Sequence, residues 1–181
     1  MHNIRAFGGQ SPQLDKHSFV DDSAVIIGDV HLGAHSSIWP LCLARGDINR
    51  IHIGDYTNIQ DCSVLHVTHD SEFSPGGQAL SIGNKVTVGH RVILHACEIG
   101  DLCLVGMGAI IMDGAVMQSG SMLGAGSVVT GGKVLESGYL WLGAPARRVR
   151  RLTDKEIAFL DYSASHYAEL AEKHKQSQVN A

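Results

Sequence analysis

Residues 93–129 read ILHACEIGDLCLVGMGAIIMDGAVMQSGSMLGAGSVV. An aliphatic slot recurs every six residues, at Ile93, Ile99, Val105, Ile111, Met117, Leu123 and Val129. Four positions after each slot comes a small residue: Cys97, Cys103, Ala109, Ala115, Ser121 and Ser127. Hexapeptide periods are the signature of a parallel β-helix. Three hexads make one triangular coil, so residues 18 apart stack on neighbouring coils about 4.8 Å apart, as strands do in any sheet.

The slot runs backwards through Val20, Ile26, Leu32, Ile38 and Ala44. It then skips three extra residues and resumes at Ile53, Ile59 and Leu65. After a polar stretch it returns at Ile82, Val88 and Leu94, each 29 residues on: one 18-residue coil plus an 11-residue insertion. A one-residue shortening between Leu94 and Ile99 completes the register, with Ile93 and Leu94 competing for one slot. The fold class that follows is all-β, a parallel β-helix with a triangular cross-section and a C-terminal α-helix.

Side chains alternate along a strand, so the residue after each aliphatic points outward. On the first face these residues are Gly33, Gly54, Gly83, Gly100 and Gln118; on the second, Trp39, Gln60, Gly89, Gly106 and Gly124. On the third they are Ile27, Arg45, His66, His95 and Met112. Two faces are mostly glycine, and the third carries an Arg-His-His column between apolar residues. That column is the candidate site.

The chain of 181 residues suits one β-rich body, with 44% hydrophobic residues and 21 glycines. Its net charge of −4 and lack of a basic stripe argue against a nucleic-acid partner. No apolar run approaches the ~18 residues of a membrane span. The start, MHNIRAFGG, has no signal-peptide apolar core, so the expected location is cytoplasmic. Cys42, Cys97 and Cys103 fall in the small inward slot, where a thiol acts as a compact hydrophobe. Cys62 falls off it and has no assigned role.

The expected organisation is a β-helix unit over 1–152, comprising an amino-terminal lead and a coil body over 20–139, followed by a helix over 153–176. The polar loop 67–80 leaves directly after His66 and should hang over the histidine column, where loops often carry function. Gly143-Ala144-Pro145 breaks the repeat and redirects the chain. Thr153 and Glu156 make a capping box. An apolar stripe follows at Ile157, Leu160, Ala164, Tyr167 and Ala171. Tyr162 and Tyr167 either pack on the prism or reach the site, and Tyr167 is the candidate site residue of the two.

Three of the 11 histidines stand out. His66 and His95 stack on adjacent coils and can converge on one ion. His90, near the preceding corner, points away and joins them only from another subunit, and a threefold head-to-tail ring would make three equal sites. Three neutral imidazoles with an open position describe a catalytic zinc site, which iron or cobalt also fits. His2, His17, His31, His35, His52, His166 and His174 show no such placement, and His69 lies at the root of the loop.

RGDIN at 45–49, NIQD at 58–61, Leu65-His66 and VGHRVILH at 88–95 together resemble the γ-class carbonic anhydrases. The likeness spans nearly the whole chain. It implies a left-handed parallel β-helix, a homotrimer, and reversible hydration of carbon dioxide to bicarbonate by metal-bound hydroxide. It makes His66 and His95 ligands from one subunit and His90 the ligand from its neighbour. It casts Arg45 and Asp47 as an interface pair beside the site, and Gln60 and Asp61 as residues that orient bound water or substrate. Asn58 is read as a turn residue, and Ile27 and Met112 as lining of a carbon dioxide niche. The pattern departs from the best-studied members at two proton-transfer glutamates, where this chain has Ile48 and His69, with Glu72 farther along the loop. Two other readings fit the repeat: a hexapeptide acyltransferase, and a γ-type protein that binds metal and a small anion without catalysis.

Overall fold

A computed structural model of the protein describes residues 3–179, so His2 lies outside the described residues. Short parallel strands stack coil upon coil, as the repeat requires. Leu65 pairs with Leu94, Leu94 with Ile111 and Ile111 with Val129, so one face holds the predicted column in register. Ala44 pairs with Leu65 across the three-residue insertion. That insertion is taken up by the long strands Val25–Leu32 and Leu43–Ile53, whose register shifts between Gly28 and Val30.

The inward aliphatics from Ile26 to Leu135 are buried along the prism axis. Burying such a side chain contributes about 1.5–3 kcal/mol against exposure. The competition at 93 and 94 is resolved in favour of Leu94: it is fully buried, whereas Ile93 is 41% exposed. Cys42, Cys97 and Cys103 are buried as expected.

Most corners are turned by a residue with positive φ. They fall at Lys85, Arg91, Ala96 and Leu102, then at Gly108, Gly114, Gly120 and Gly126. The five-residue step from Arg91 to Ala96 is the one-residue shortening read from the sequence. Cys62 is one of these corner residues (φ 62°) and is exposed, which accounts for its place outside the inward slot. The glycines after the aliphatics have a separate cause. A Cβ on Gly54 would lie 2.7 Å from the carbonyl carbon of Gly83 on the next coil, so close stacking of coils excludes a side chain there.

The amino-terminal lead is part of the prism. Ile4–Arg5 and Gln13–Leu14 pair in parallel with Val25–Leu32, and Phe19–Val20 with Ser37–Ile38. At the other end Tyr139–Leu142 pairs antiparallel with Arg147–Arg151 after a cis Ala144-Pro145 bond. The charged last strand blunts an edge that would otherwise template further pairing.

The helix Asp154–Val179 starts at the predicted box: the Thr153 amide donates to Glu156 Oε2 at 2.9 Å, and the Glu156 amide to Thr153 Oγ1 at 3.3 Å. Leu160, Ala164 and Ala171 are buried against the second face, with Phe19 and Trp39 beneath Ala171. Ile157 departs from the expected stripe and is 52% exposed. Tyr162 points to solvent, which leaves Tyr167 as the inward tyrosine.

Candidate metal centre

His66 and His95 end the strands Val64–His66 and Ile93–His95 and are direct ladder partners. Their rings meet with His66 Nδ1 and His95 Nε2 3.1 Å apart. Each ring also holds a carboxylate. His66 Nε2 lies 3.2 Å from Asp47 Oδ1, and Arg45 donates to Asp47 Oδ2 at 2.7 Å. His95 Nδ1 lies 2.7 Å from Asp113 Oδ1, while the Thr68 hydroxyl bonds Asp113 Oδ2.

The charges follow from these contacts. Burial presses the His66 pKa below its ordinary value, and Arg45 and His95 add to that against the opposing pull of Asp47. A neutral imidazole is the form that binds a metal. Burial would raise Asp47, but Arg45 and His66 outweigh it and hold its carboxyl below the ordinary range. Asp113 is lowered in the same way, its partial burial outweighed by Thr68 and His95.

The remaining candidates gather on another side of the prism. Asp61 and His90 precede stacked corner residues, Cys62 and Arg91, and the Arg91 amide donates to the Asp61 carbonyl at 2.9 Å. His90 Nδ1 lies 2.8 Å from Asp61 Oδ2. Gln60 is buried and donates to Asn58 Oδ1 at 3.0 Å; Asn58 in turn donates to Thr87 Oγ1, which bonds Ser163 on the helix. Asn58 is therefore a buried strand residue, not a turn residue: its amide ties the second face to the helix. Gln60, His90 and Tyr167 line one end of an apolar cleft of about 380 Å³ between sheet and helix. Burial, then the charge of Asp61, raises the Tyr167 phenol.

The chain thus carries two groups of candidates. Arg45, Asp47, His66 and His95 lie together, while Gln60, Asp61, His90 and Tyr167 lie together elsewhere. Among the described residues no three His, Cys, Asp or Glu side chains are gathered around a common metal position. The apolar cleft lies beside His90, and neither Ile27 nor Met112 lines it.

The donor chemistry suits a metal. Carboxylates at Nδ1 orient His90 and His95 and leave Nε2 as the donor, the arrangement in which outer carboxylates hold metal-binding imidazoles. Sequence reasoning missed Asp113 and Thr68. Asp113 directly follows Met112 of the histidine column, but a period-two reading aims it away from that face. It also missed that His31 and His52 are direct ladder partners, because they precede the aliphatic slot instead of following it.

Fold and site together define a hexapeptide-repeat left-handed β-helix protein with a paired-histidine face. No family model matches the chain. It is 49% identical over 164 residues to Protein YrdA of Escherichia coli, covering 91% of this chain and 89% of that one. It is 46% identical over 165 residues to mitochondrial γ carbonic anhydrase 1 of Arabidopsis thaliana, covering 91% of this chain and 60% of that longer protein. It is 42% identical over 159 residues to a probable carbonic anhydrase of Methanocaldococcus jannaschii, covering 88% and 96%. Among solved structures, a hexapeptide transferase family protein from Anaplasma phagocytophilum superposes with a TM-score of 0.87 at 43% identity, over 96% and 99% of the two chains. The chain belongs to the γ-class carbonic anhydrase family. Among the described residues no helix is long and apolar enough to cross a membrane.

Proposed function

We propose that the protein hydrates carbon dioxide reversibly to bicarbonate at a metal site shared by subunits of a homotrimer. His66 and His95 of one chain and His90 of its neighbour hold the metal. The observation that carries this reading is the His66–His95 pair, in register with facing ring nitrogens 3.1 Å apart and a separate carboxylate on each ring. When bound, zinc, iron or cobalt supplies the Lewis acidity that makes water a nucleophile near neutral pH.

The chain's own residues then have defined tasks. Asp113 and Asp61 fix the rings of His95 and His90. Asp47 orients His66 and is itself held by Arg45. Gln60, buried and braced by Asn58, presents a polar group at the end of the apolar cleft beside His90. Tyr167 closes that end from the helix. The proton released on forming bicarbonate passes to solvent; His69, Asp70 and Glu72, all exposed on the loop, are the first titratable side chains along the chain after His66.

Metal per chain, measured on His66→Ala, His90→Ala and a co-refolded mixture of the two, tests the shared site. Each variant alone should lose metal, and the mixture should regain part of it with hydration activity, because mixed oligomers contain intact sites. A mixture as empty as its parents overturns the shared site. Metal without hydration supports the non-catalytic γ-type reading. An absence of metal in the wild type even after reconstitution leaves the transferase chemistry for which the Anaplasma protein's family is named.

A further inference from the structure

Phe73, at the tip of loop 67–80, leaves 90% of its surface in solvent, far more than any other large apolar side chain among the described residues. Leu41, the next, leaves 66%. The loop that presents it is firmly built. Thr68 pairs with Gln78 and Ser71 with Ser74. The Asp70 carboxylate accepts from the Gly76 amide at 2.7 Å, and Asn49 donates to the Thr68 carbonyl at 3.2 Å. At its root, the Thr68 hydroxyl bonds Asp113, the carboxylate behind His95. A fixed loop that holds an aromatic ring in water has already met the ordering cost of binding.

The apolar cleft beside His90 is the matching receptor. Leu104, Met107, Met122, Leu123, Leu140 and Phe159 line it. Its volume of about 380 Å³ far exceeds what a triatomic gas fills, and two flexible thioether side chains adapt well to an aromatic ring. Within one chain the two cannot meet. The loop joins the third face to the first, from Val64–His66 to Leu80–Ile82, and the cleft lies on the second.

Between chains the relation reverses. The loop begins one residue after His66, and His90 is part of the cleft wall. If His66 of one copy and His90 of the next hold one ion, the loop of the first stands at the cleft mouth of the second. Phe73 comes seven positions after His66, a reach of at most ~24 Å.

We propose that Phe73 docks into the apolar cleft of the neighbouring copy, latching the oligomer and covering the cleft end of the shared site. This rests on the three-histidine reading above. The test places the photo-cross-linker p-benzoylphenylalanine at position 73 of the full chain, irradiates the assembled protein and maps the link by mass spectrometry. Metal per chain is measured on the same sample. The expected result is a covalent chain pair linked within 104–107, 122–125 or 159–167. Absence of an interchain product, or a link mapping elsewhere, overturns the latch. The metal measurement reports separately: metal without a cleft link removes the latch and keeps the shared site, and a cleft link without metal keeps the latch and removes the site. Phe73→Ala, which changes a solvent-exposed ring and leaves the prism intact, should loosen the oligomer roughly ten- to hundredfold, the value of burying one such side chain. Unchanged dissociation on dilution also overturns the latch.

Discussion

Replacing Asp113 by Ala removes the acceptor 2.7 Å from His95 Nδ1 and the anchor of the Thr68 hydroxyl together. His95 then keeps its backbone register but loses the bond that fixes its tautomer and ring angle. Loss of such a carboxylate behind a metal-binding imidazole costs about 10–100-fold in metal affinity, or roughly 1.4–2.8 kcal/mol at 1.4 kcal/mol per tenfold. Folding stability should move far less. His95 and Asp113 side chains are 37% and 42% exposed, so solvent screens their attraction and the pair contributes under about 1 kcal/mol. In a chain of this length that is a fall of roughly 2–4 °C or less in Tm. Asp113→Asn keeps an acceptor without the charge and should fall between wild type and Asp113→Ala. Asp101→Asn is the control, because that carboxylate accepts from the Asn84 amide at a corner and touches neither histidine. Zinc affinity measured by competition with a chromophoric chelator, beside thermal unfolding of the metal-free proteins, separates the two effects. Zinc affinity of Asp113→Ala within twofold of wild type, in a background where His95→Ala abolishes binding, would refute the orienting role.

Three further outcomes follow from the fold. Gly54→Ala drives a methyl against the Gly83 backbone at 2.7 Å and should cost about 1–3 kcal/mol. Gly108→Ala meets nothing within 4 Å but sits at φ 68°, so it should cost about 1–2 kcal/mol; asparagine should be tolerated better than alanine at 108 and worse at 54, and denaturant unfolding that ranks both sites alike would contradict this. In the native protein only Cys62 should react quickly with a thiol reagent, since burial raises the Cys42 and Cys103 thiols to about 11 and Cys97 to about 12; a second fast thiol argues against the buried slot. Asp47 has a folded pKa below its ordinary 3.8, so its contribution to the metal-free protein is present above that pH and is lost as pH falls through the folded value. The stability gap between wild type and Asp47→Asn should therefore close on acidification, and a gap that widens would reverse the assignment.

The prism was legible because its period is enforced at three levels. The aliphatic slot fills the axis, the corner residue turns the chain, and the glycines let coils stack. The 29-residue offset alone placed His66 beside His95, which the ladder reproduces residue for residue. The ends were less legible: the amino-terminal lead lacks the repeat yet completes a coil through backbone pairing, which leaves little mark on side chains. Asn58, cast as a turn residue by the resemblance, is of a residue type that favours turns in general. Here its amide sits in a strand and is satisfied by Gln60 and Thr87, a tertiary arrangement that outweighs propensity. Asp113 escaped because alternation predicts strand directions and fails at corners, where a residue beyond the strand can fold back to the site.

The division of the candidates between two sides of the prism has a thermodynamic consequence on the proposed reading. Two imidazoles from one chain make an incomplete ligand set, and the third donor exists only when a neighbour docks. Metal binding and association then become one linked equilibrium, in which metal at a hundred times its dissociation constant stabilises the complete site by about 2.7 kcal/mol. The carboxylates fit this division. Asp113 prepares His95 on one side and Asp61 prepares His90 on the other, so each surface arrives with its donor already oriented and little ordering remains to be done on contact. The same logic accounts for a short loop that starts beside His66 and holds Phe73 in water: a side chain costly to expose on an isolated chain gains its partner only in the assembly that also completes the metal site.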